Sequence, residues 1–459
     1  MSSIIEQGAG QPESAERRAE QRAWYWYDWA NSGYYTTVVT VLFAPYIIGV
    51  AEQAAEDAGS GRVSLLGLSV APGALPSYLI TVTTLLSAVL LPLLGPVVDR
   101  VVRKRLLLGG LAWVGAAFAS LLWFATDGNW QIGAIALVGA NLAFAGSIVV
   151  QDSILPLISS TERRDAVSSR GWAFGYLGGG LLLLLNLIVV TQAETFGLTE
   201  GGAARIGMLS AAIWWAGFTI IPVVRLRDHA PIEQLPASAP GAQGGLVGQS
   251  FGQLARTLKD MPKYPMALTF LIAYLFFNDG IQTVIASAST YGSEELDFGQ
   301  SVLIATILLV QFVAFAGALI FGRLAASIGA KHAILIGLGI WGVIVTVALV
   351  IPAGALVPFL GLAVAIGIVL GGCQALARSY YSVLIPVGRE AEYFAFYHAA
   401  DRGTSWLGTL TFGVVFQITG SYRPAMFALI AFFGIGALLL SRVDTERGMR
   451  DAARTSESV

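Results

Sequence analysis

Charge is scarce in this chain. Asp, Glu, Lys and Arg make up 12% of 459 residues, and 29 acidic against 27 basic side chains nearly cancel. No basic field of the kind that grips nucleic acid can be assembled from that balance, so nucleic-acid partners are excluded. Cysteine is scarcer still: Cys373 stands alone, which leaves no disulfide framework and no cysteine metal site. The four lysines (Lys104, Lys259, Lys263, Lys331) do not follow a phosphate-cradling G-x-x-x-x-G, so ATP-driven work by this chain is not expected. The first 22 residues are polar and lack an apolar segment with a small-residue cleavage site, so no cleaved signal is expected. Neither a His/Glu/Cys metal cluster nor a nucleophile elbow is present, so no enzyme, metal or cofactor is expected.

What the chain has in excess is apolar surface, with 55% of its residues hydrophobic. At about 20 apolar residues per spanning helix, that stock furnishes roughly a dozen helices. Apolar runs bounded by charges, Gly or Pro place them at 26–50, 76–98, 106–126, 130–152, 171–193, 205–225, 266–290, 300–322, 333–352, 356–378, 399–419 and 422–442. The fold class is thus an all-α membrane protein of two six-helix bundles, 1–225 and 266–442. A Pro/Ala/Gly-rich linker, 226–265, joins them, and a charged tail, 443–459, follows. Alternate loops divide the basic residues unevenly. Twenty-three of the 27 fall on the side of the termini and linker, against Arg62, Arg205 and Arg423 opposite. The positive-inside rule then puts both termini and the linker in the cytoplasm, and the chain in the cell membrane.

The halves repeat each other. Asn31-Ser32-Gly33-Tyr34-Tyr35-Thr36 in helix 1 and Asn278-Asp279-Gly280-Ile281-Gln282-Thr283 in helix 7 share N-[SD]-G-x-x-T, 247 residues apart. After helix 2 comes Gly95 to Lys104 (GPVVDRVVRK), and after helix 8 comes Gly322 to Lys331 (GRLAASIGAK). Two echoes in the same order imply duplication, and parallel six-helix repeats with cargo held between them are one way to build a secondary transporter.

The run Gly95 to Lys104 resembles the major facilitator superfamily signature G-x-x-x-D-R-x-G-R-[RK], with Val102 where that family has glycine. Tyr27 to Ser32 (YDWANS), Gly171 to Gly179 (GWAFGYLGG), Phe277 to Gly280 (FNDG), Tyr291 to Leu296 (YGSEEL) and Gly372 to Ser379 (GCQALARS) are similar to the vacuole-effluxer-like, autophagy-related branch. That resemblance implies an alternating-access transporter whose central cavity is formed by helices 1, 4, 7 and 10. It also implies a small-molecule cargo such as an amino acid, with export favoured. The expected partners are that cargo, protons as coupling ion and the bilayer, and the chain is expected to act as a monomer. The alternative is a receptor that binds a small ligand without moving it; an integral-membrane enzyme or lipid scramblase is a remoter reading.

Candidate cargo-binding residues follow from charge at membrane depth, which is costly and usually functional. Asp28, Asn31 and Tyr35 are spaced i, i+3 and i+7, one face of helix 1. Asp28 either lines a cavity or caps a helix start within the Trp24, Trp26, Trp29 aromatic belt. Asp279 lies about 14 residues into helix 7, roughly 20 Å along it. A carboxylate there must be paired, solvated or protonated, which makes Asp279 a candidate proton carrier; Asn278 and Gln282 beside it offer amides to a zwitterion. Gln374 and Arg378 sit one turn apart at the end of helix 10, where Arg378 either meets the helix dipole or binds a cargo carboxylate. Asp401 and Arg402 are about 100° apart and face different neighbours, and His398 reads either as a pH sensor or, the more common case, as a polar boundary residue.

The gating set is Gly95, Asp99, Arg100, Arg103 and Asp152. In the superfamily resembled, the loop carboxylate latches the cytoplasmic side by facing the start of helix 11, here expected near Ala399. Arg103 is expected to pair with Asp152 at the end of helix 4. Since Ala326 stands where Asp99 repeats, the latch is expected to be one-sided.

Overall fold

A computed structural model describes residues 13–65, 67–229, 257, 259–404 and 406–454. Twelve helices in two six-helix bundles carry the chain across the membrane. In the first bundle these are α1 (Ala15–Asp57), α2 (Pro72–Arg100), α3 (Lys104–Phe124), α4 (Trp130–Ile158), α5 (Thr161–Thr191) and α6 (Glu200–Arg225). In the second they are α7 (Pro265–Glu295), α8 (Gln300–Ile328), α9 (Ala330–Ala348), α10 (Leu356–Leu384), α11 and α12 (Tyr422–Ser441). Helix α11 is described in two stretches, Glu390–Thr404 and Trp406–Thr419. A short helix, α13 (Thr445–Arg454), follows within the tail. The linker proposed for 226–265 falls mostly outside the described residues.

Apolar runs mark only the lipid-facing middle of each helix, so several helices extend beyond the runs on their polar ends. Helix α1 starts at Ala15 rather than 26, with Ser14 Oγ accepting from the Arg17 amide as its N-cap. Its polar first turns are held by Arg163 on Glu13, Arg227 on Glu16 and Gln21 on the Ile158 carbonyl. Helix α4 ends at Ile158 rather than 152 and α10 at Leu384 rather than 378. Helix α11 begins at Glu390, nine residues before the expected 399. Among the described residues, eleven helices are long and apolar enough to cross a membrane, and α11 is described in stretches of 15 and 14 residues. These extensions place Asp28, Asp152 and Arg378 inside helices instead of at their mouths.

Helix α1 winds wider, with π-type turns, over Tyr35–Leu42. Pro45 follows, and its missing N–H and bulky ring disturb the carbonyl ladder of the turn before it. Between α1 and α2 lies a hairpin not anticipated from the sequence, β1 (Val63–Leu65) antiparallel to β2 (Leu68–Val70), with Val63 opposite Val70.

Each bundle has its own apolar core. Trp24, Tyr34, Leu137 and Trp215 anchor the first, and Phe270, Trp341, Tyr381 and Phe394 the second. Ala391, Ala395 and Ala399 of α11 belong to the first core although their helix belongs to the second bundle. Their i, i+4, i+8 spacing makes a small-residue stripe that docks α11 on α2. The bundles also meet where α5 packs on α8 and α10.

Candidate cargo and gating site

Glycines let the central helices approach. A Cβ on Gly171 of α5 would stand 2.3 Å from Asp28 Oδ2, and one on Gly175 2.7 Å from Ser32 Oγ. A Cβ on Gly179 would stand 2.7 Å from Thr36 Oγ1, so the Gly171 to Gly179 face fits α5 directly against α1.

Where those helices cross α10, Arg378 is buried at 4% exposure. Its Nη1 donates to Asp28 Oδ1 at 3.2 Å and to Asp152 Oδ1 at 3.3 Å. Its Nε donates to Ser168 Oγ at 3.0 Å and its Nη2 to the Ser168 carbonyl at 3.1 Å. The indole faces of Trp24 and Trp172 lie 4.6 and 5.4 Å from the guanidinium carbon. Planar, permanently charged and weakly hydrated, a guanidinium suits such a slot better than an ammonium. The second oxygen of Asp152 meets His398 Nε2 at 2.8 Å. The cluster therefore joins Asp28 and Asp152 of the first bundle to Arg378 and His398 of the second. His398 bonds Asp152 across the bundles and is not a boundary residue, and Arg378 lies within α10 and does not meet its C-terminal dipole.

A second polar chain runs through the C-terminal bundle. Gln374 Nε2 donates to Asn278 Oδ1 at 2.7 Å, and Asn278 Nδ2 donates to Asp401 Oδ1. Asp279, beside Asn278, accepts from the Gly408 amide at 2.7 Å through Oδ2. Asn31 donates to Gln151 Oε1 at 3.3 Å, while the Gln151 carbonyl accepts from Trp24 Nε1 at 2.9 Å. Tyr35 is 42% exposed and stacks on Phe144, with ring centroids 5.6 Å apart. Gln282 is half-buried and takes no part in these bonds. Thus Asp28 and Arg378 come together, as do Asn278 and Gln374, whereas Tyr35 and Gln282 stand apart from both groups.

The gating residues sit on the face that carries the termini. Asp99 accepts from the Ala391 and Glu392 amides, each at 2.9 Å, at the start of α11. Asp99 thus faces the start of α11, eight residues earlier than Ala399, because α11 begins earlier. Helix N-terminal amides have no intrahelical acceptor and carry partial positive charge, so a carboxylate there contributes about 0.3 to 1 kcal/mol, and up to about 2 when partly buried. Gly95 makes the approach possible: a Cβ there would stand 2.6 Å from Glu392 Cα. The expected Arg103–Asp152 pair does not form, since Arg103 is exposed and Asp152 is taken by Arg378 and His398. The buried cation is Lys104, 3.6 Å from Asp99 and 3.3 Å from Ser153 Oγ. Arg100 is exposed.

Sequence reasoning missed Ser168, Trp24, Trp172, Gln151, Lys104 and the role of His398. Extending α4 through Gln151-Asp152 would have exposed two polar residues within a buried helix. The indoles looked like interface anchors and carried no other signal.

Residues 16–453 match the family model described as vacuole effluxer Atg22 like. The chain belongs to the vacuole effluxer Atg22-like family. An uncharacterized MFS-type transporter of Bacillus subtilis, YxiO, is 29% identical over 429 residues, which covers 93% of this chain and 95% of that protein. Autophagy-related protein 22-2 of Aspergillus niger is 22% identical over 478 residues, covering 86% and 80%. Among solved structures, the proton:xylose symporter XylE bound to 6-bromo-6-deoxy-D-glucose matches this Atg22-like chain with TM-score 0.66 and 11% identity, covering 94% and 97%. A bacterial homologue of the iron transporter ferroportin in its outward-facing state gives TM-score 0.65 and 13% identity, covering 94% and 99%. The fold is that of the major facilitator superfamily, and the Atg22-like chain is a multi-pass membrane transporter of that class.

Proposed function

We propose that this Atg22-like chain exports a small metabolite, an amino acid, from the cytoplasm across the cell membrane by alternating access, coupled to protons and acting as a monomer. The observation that carries the reading is the Asp28, Asp152, Arg378, His398 cluster, because its bonds cross from one bundle to the other. Opening the terminal face requires those bonds and the Asp99 latch to part together. Arg378 balances one of two buried carboxylates, and His398 balances the other only when protonated. The bias of basic residues supports placing the terminal face in the cytoplasm. The Asn278–Gln374–Asp401 chain offers amide and carboxylate groups to a zwitterion.

Counterflow in proteoliposomes tests this reading, using labelled amino acids with and without a pH difference. Counterflow that responds to the pH difference, and loses that response in Asp152→Asn and His398→Gln, is the expected result. Ligand binding without counterflow would instead favour a receptor, and counterflow indifferent to pH would remove the proton.

A further inference from the structure

Asp279 and its neighbour Thr283, one turn apart on α7, are both buried with an oxygen left unpartnered. Asp279 is 3% exposed and Thr283 1%. Asp279 Oδ2 is satisfied by the Gly408 amide, but Asp279 Oδ1 and Thr283 Oγ1 are buried with no hydrogen-bond partner among the described residues. Both unsatisfied oxygens lie against Gly408, 3.2 and 2.2 Å from where a Cβ on that glycine would sit. One amide dipole does not neutralise a buried carboxylate, and buried charges are normally paired. Arg378 is engaged with Asp28 and Asp152 and His398 with Asp152, while the acid Asp401 is a like-charged neighbour of Asp279.

The internal repeat provides the comparison. At the equivalent positions of α1 stand Ser32, whose hydroxyl donates to Asn31 Oδ1, and Thr36, whose Oγ1 accepts from Gln311 at 3.0 Å. In the first copy the serine carries no charge and both hydroxyls are partnered. In the second copy the serine has become a carboxylate and the hydroxyl has lost its partner. The pattern that results is a carboxylate oxygen and a hydroxyl oxygen, one negative charge in total, side by side against Gly408.

We propose that Asp279 and Thr283 form a binding site for a compact monovalent cation, either Na+ or the primary ammonium group of the cargo. Oxygen donors suit both: Na+ is a hard cation, and an ammonium offers three N–H donors and no acceptor. A single carboxylate matches a single positive charge. No group of three or more His, Cys, Asp and Glu is present among the described residues to hold a more highly charged metal. The proposal rests on the transporter reading only for its role in transport, since binding is measurable without it.

The test follows thermal unfolding of the purified full chain in detergent by tryptophan fluorescence. NaCl or methylammonium chloride is titrated against choline chloride at constant ionic strength and slightly alkaline pH. A saturable rise in Tm is expected in the parent and in Glu16→Gln, a distant surface control. It should vanish in Asp279→Asn, and Thr283→Val should weaken the apparent affinity by about tenfold. Should Asp279→Asn not fold, the Thr283→Val shift and competition by acid in the parent carry the test. A response to Na+ alone identifies an inorganic ion, and a response to methylammonium alone identifies the cargo's ammonium group. No response to either, or a response unchanged in both variants, overturns the site. Failed counterflow with binding intact would retire the transport reading and leave the site standing.

Discussion

The two copies of the loop after the second helix of each half preserve a contact and differ in charge. Gly95 in the first copy and Gly322 in the second both lie where a Cβ would collide with the opposite bundle. The Gly95 Cβ would stand 2.6 Å from Glu392 Cα on α11, and the Gly322 Cβ 2.7 Å from Ser169 Cβ on α5. Beyond that shared contact the copies diverge. Asp99 holds two α11 amides and lies beside Lys104, whereas the second copy has Ala326, and its lysine, Lys331, bonds the Ser441 and Val443 carbonyls of its own bundle instead. Helix approach is thus close on both sides of the terminal face, while a carboxylate meets a helix start on one. A carboxylate is useful only where a helix N-terminus faces it.

The largest expected effect comes from the cluster that both contacts enclose. Arg378→Met leaves Asp28 and Asp152 buried without their shared cation, and should destabilise the protein by about 3 to 5 kcal/mol in detergent unfolding assays. Arg378→Lys, which keeps the charge but loses the fork between the indoles, should lie between that variant and the parent.

Next come the two glycines. Gly95→Val drives a side chain into backbone and should cost about 1 to 3 kcal/mol of closed terminal face, read as faster labelling of a cysteine inside the cavity in a Cys373→Ala background. Gly322→Val meets a small side chain that can shift, so its labelling should change less; equal effects would erase the distinction between the copies.

The turns sharpen the comparison further. Gly329, between α8 and α9, has φ +82°, which a branched residue adopts with strain, so Gly329→Val should lose roughly 1 to 2 kcal/mol. Val102 stands at the equivalent place in the first copy and has no positive φ. Restoring the glycine of the superfamily pattern there should therefore gain nothing, and Val102→Gly should cost about 0.5 to 1 kcal/mol through chain entropy. A stabilising Val102→Gly in the same unfolding assay would mean that the loop needs a glycine turn after all.

Much of this was legible in the residues. Apolar runs gave twelve helices because a bilayer demands that length of hydrocarbon, and the echo of Asn31 in Asn278 gave the two bundles. The Asp99 latch was legible from its motif. Helix ends were not, because α1 from Ala15, α4 to Ile158 and α11 from Glu390 continue as polar helix stabilised by tertiary bonds such as Gln21 to Ile158 and Asp99 to Ala391. That error hid the centre of the site. With α4 ended at 152 and α10 at 378, Asp152 and Arg378 read as boundary residues, and Arg103 seemed the natural partner for Asp152. Long-range pairings between bundles, such as His398 with Asp152, have no local signature in the sequence at all.

The central claim is that Asp99 closes the terminal face from one side only. Spin labels on the exposed positions Arg103→Cys and Arg442→Cys, one on each bundle, in a Cys373→Ala background, report the distance across that face by double electron–electron resonance. The account predicts one short distance in the parent, with Asp99→Asn raising the longer, open population about tenfold, equivalent to about 1.4 kcal/mol, and Ala326→Asp leaving the distribution unchanged. Identical distributions for the parent and Asp99→Asn, or an equal response to Ala326→Asp, would contradict it.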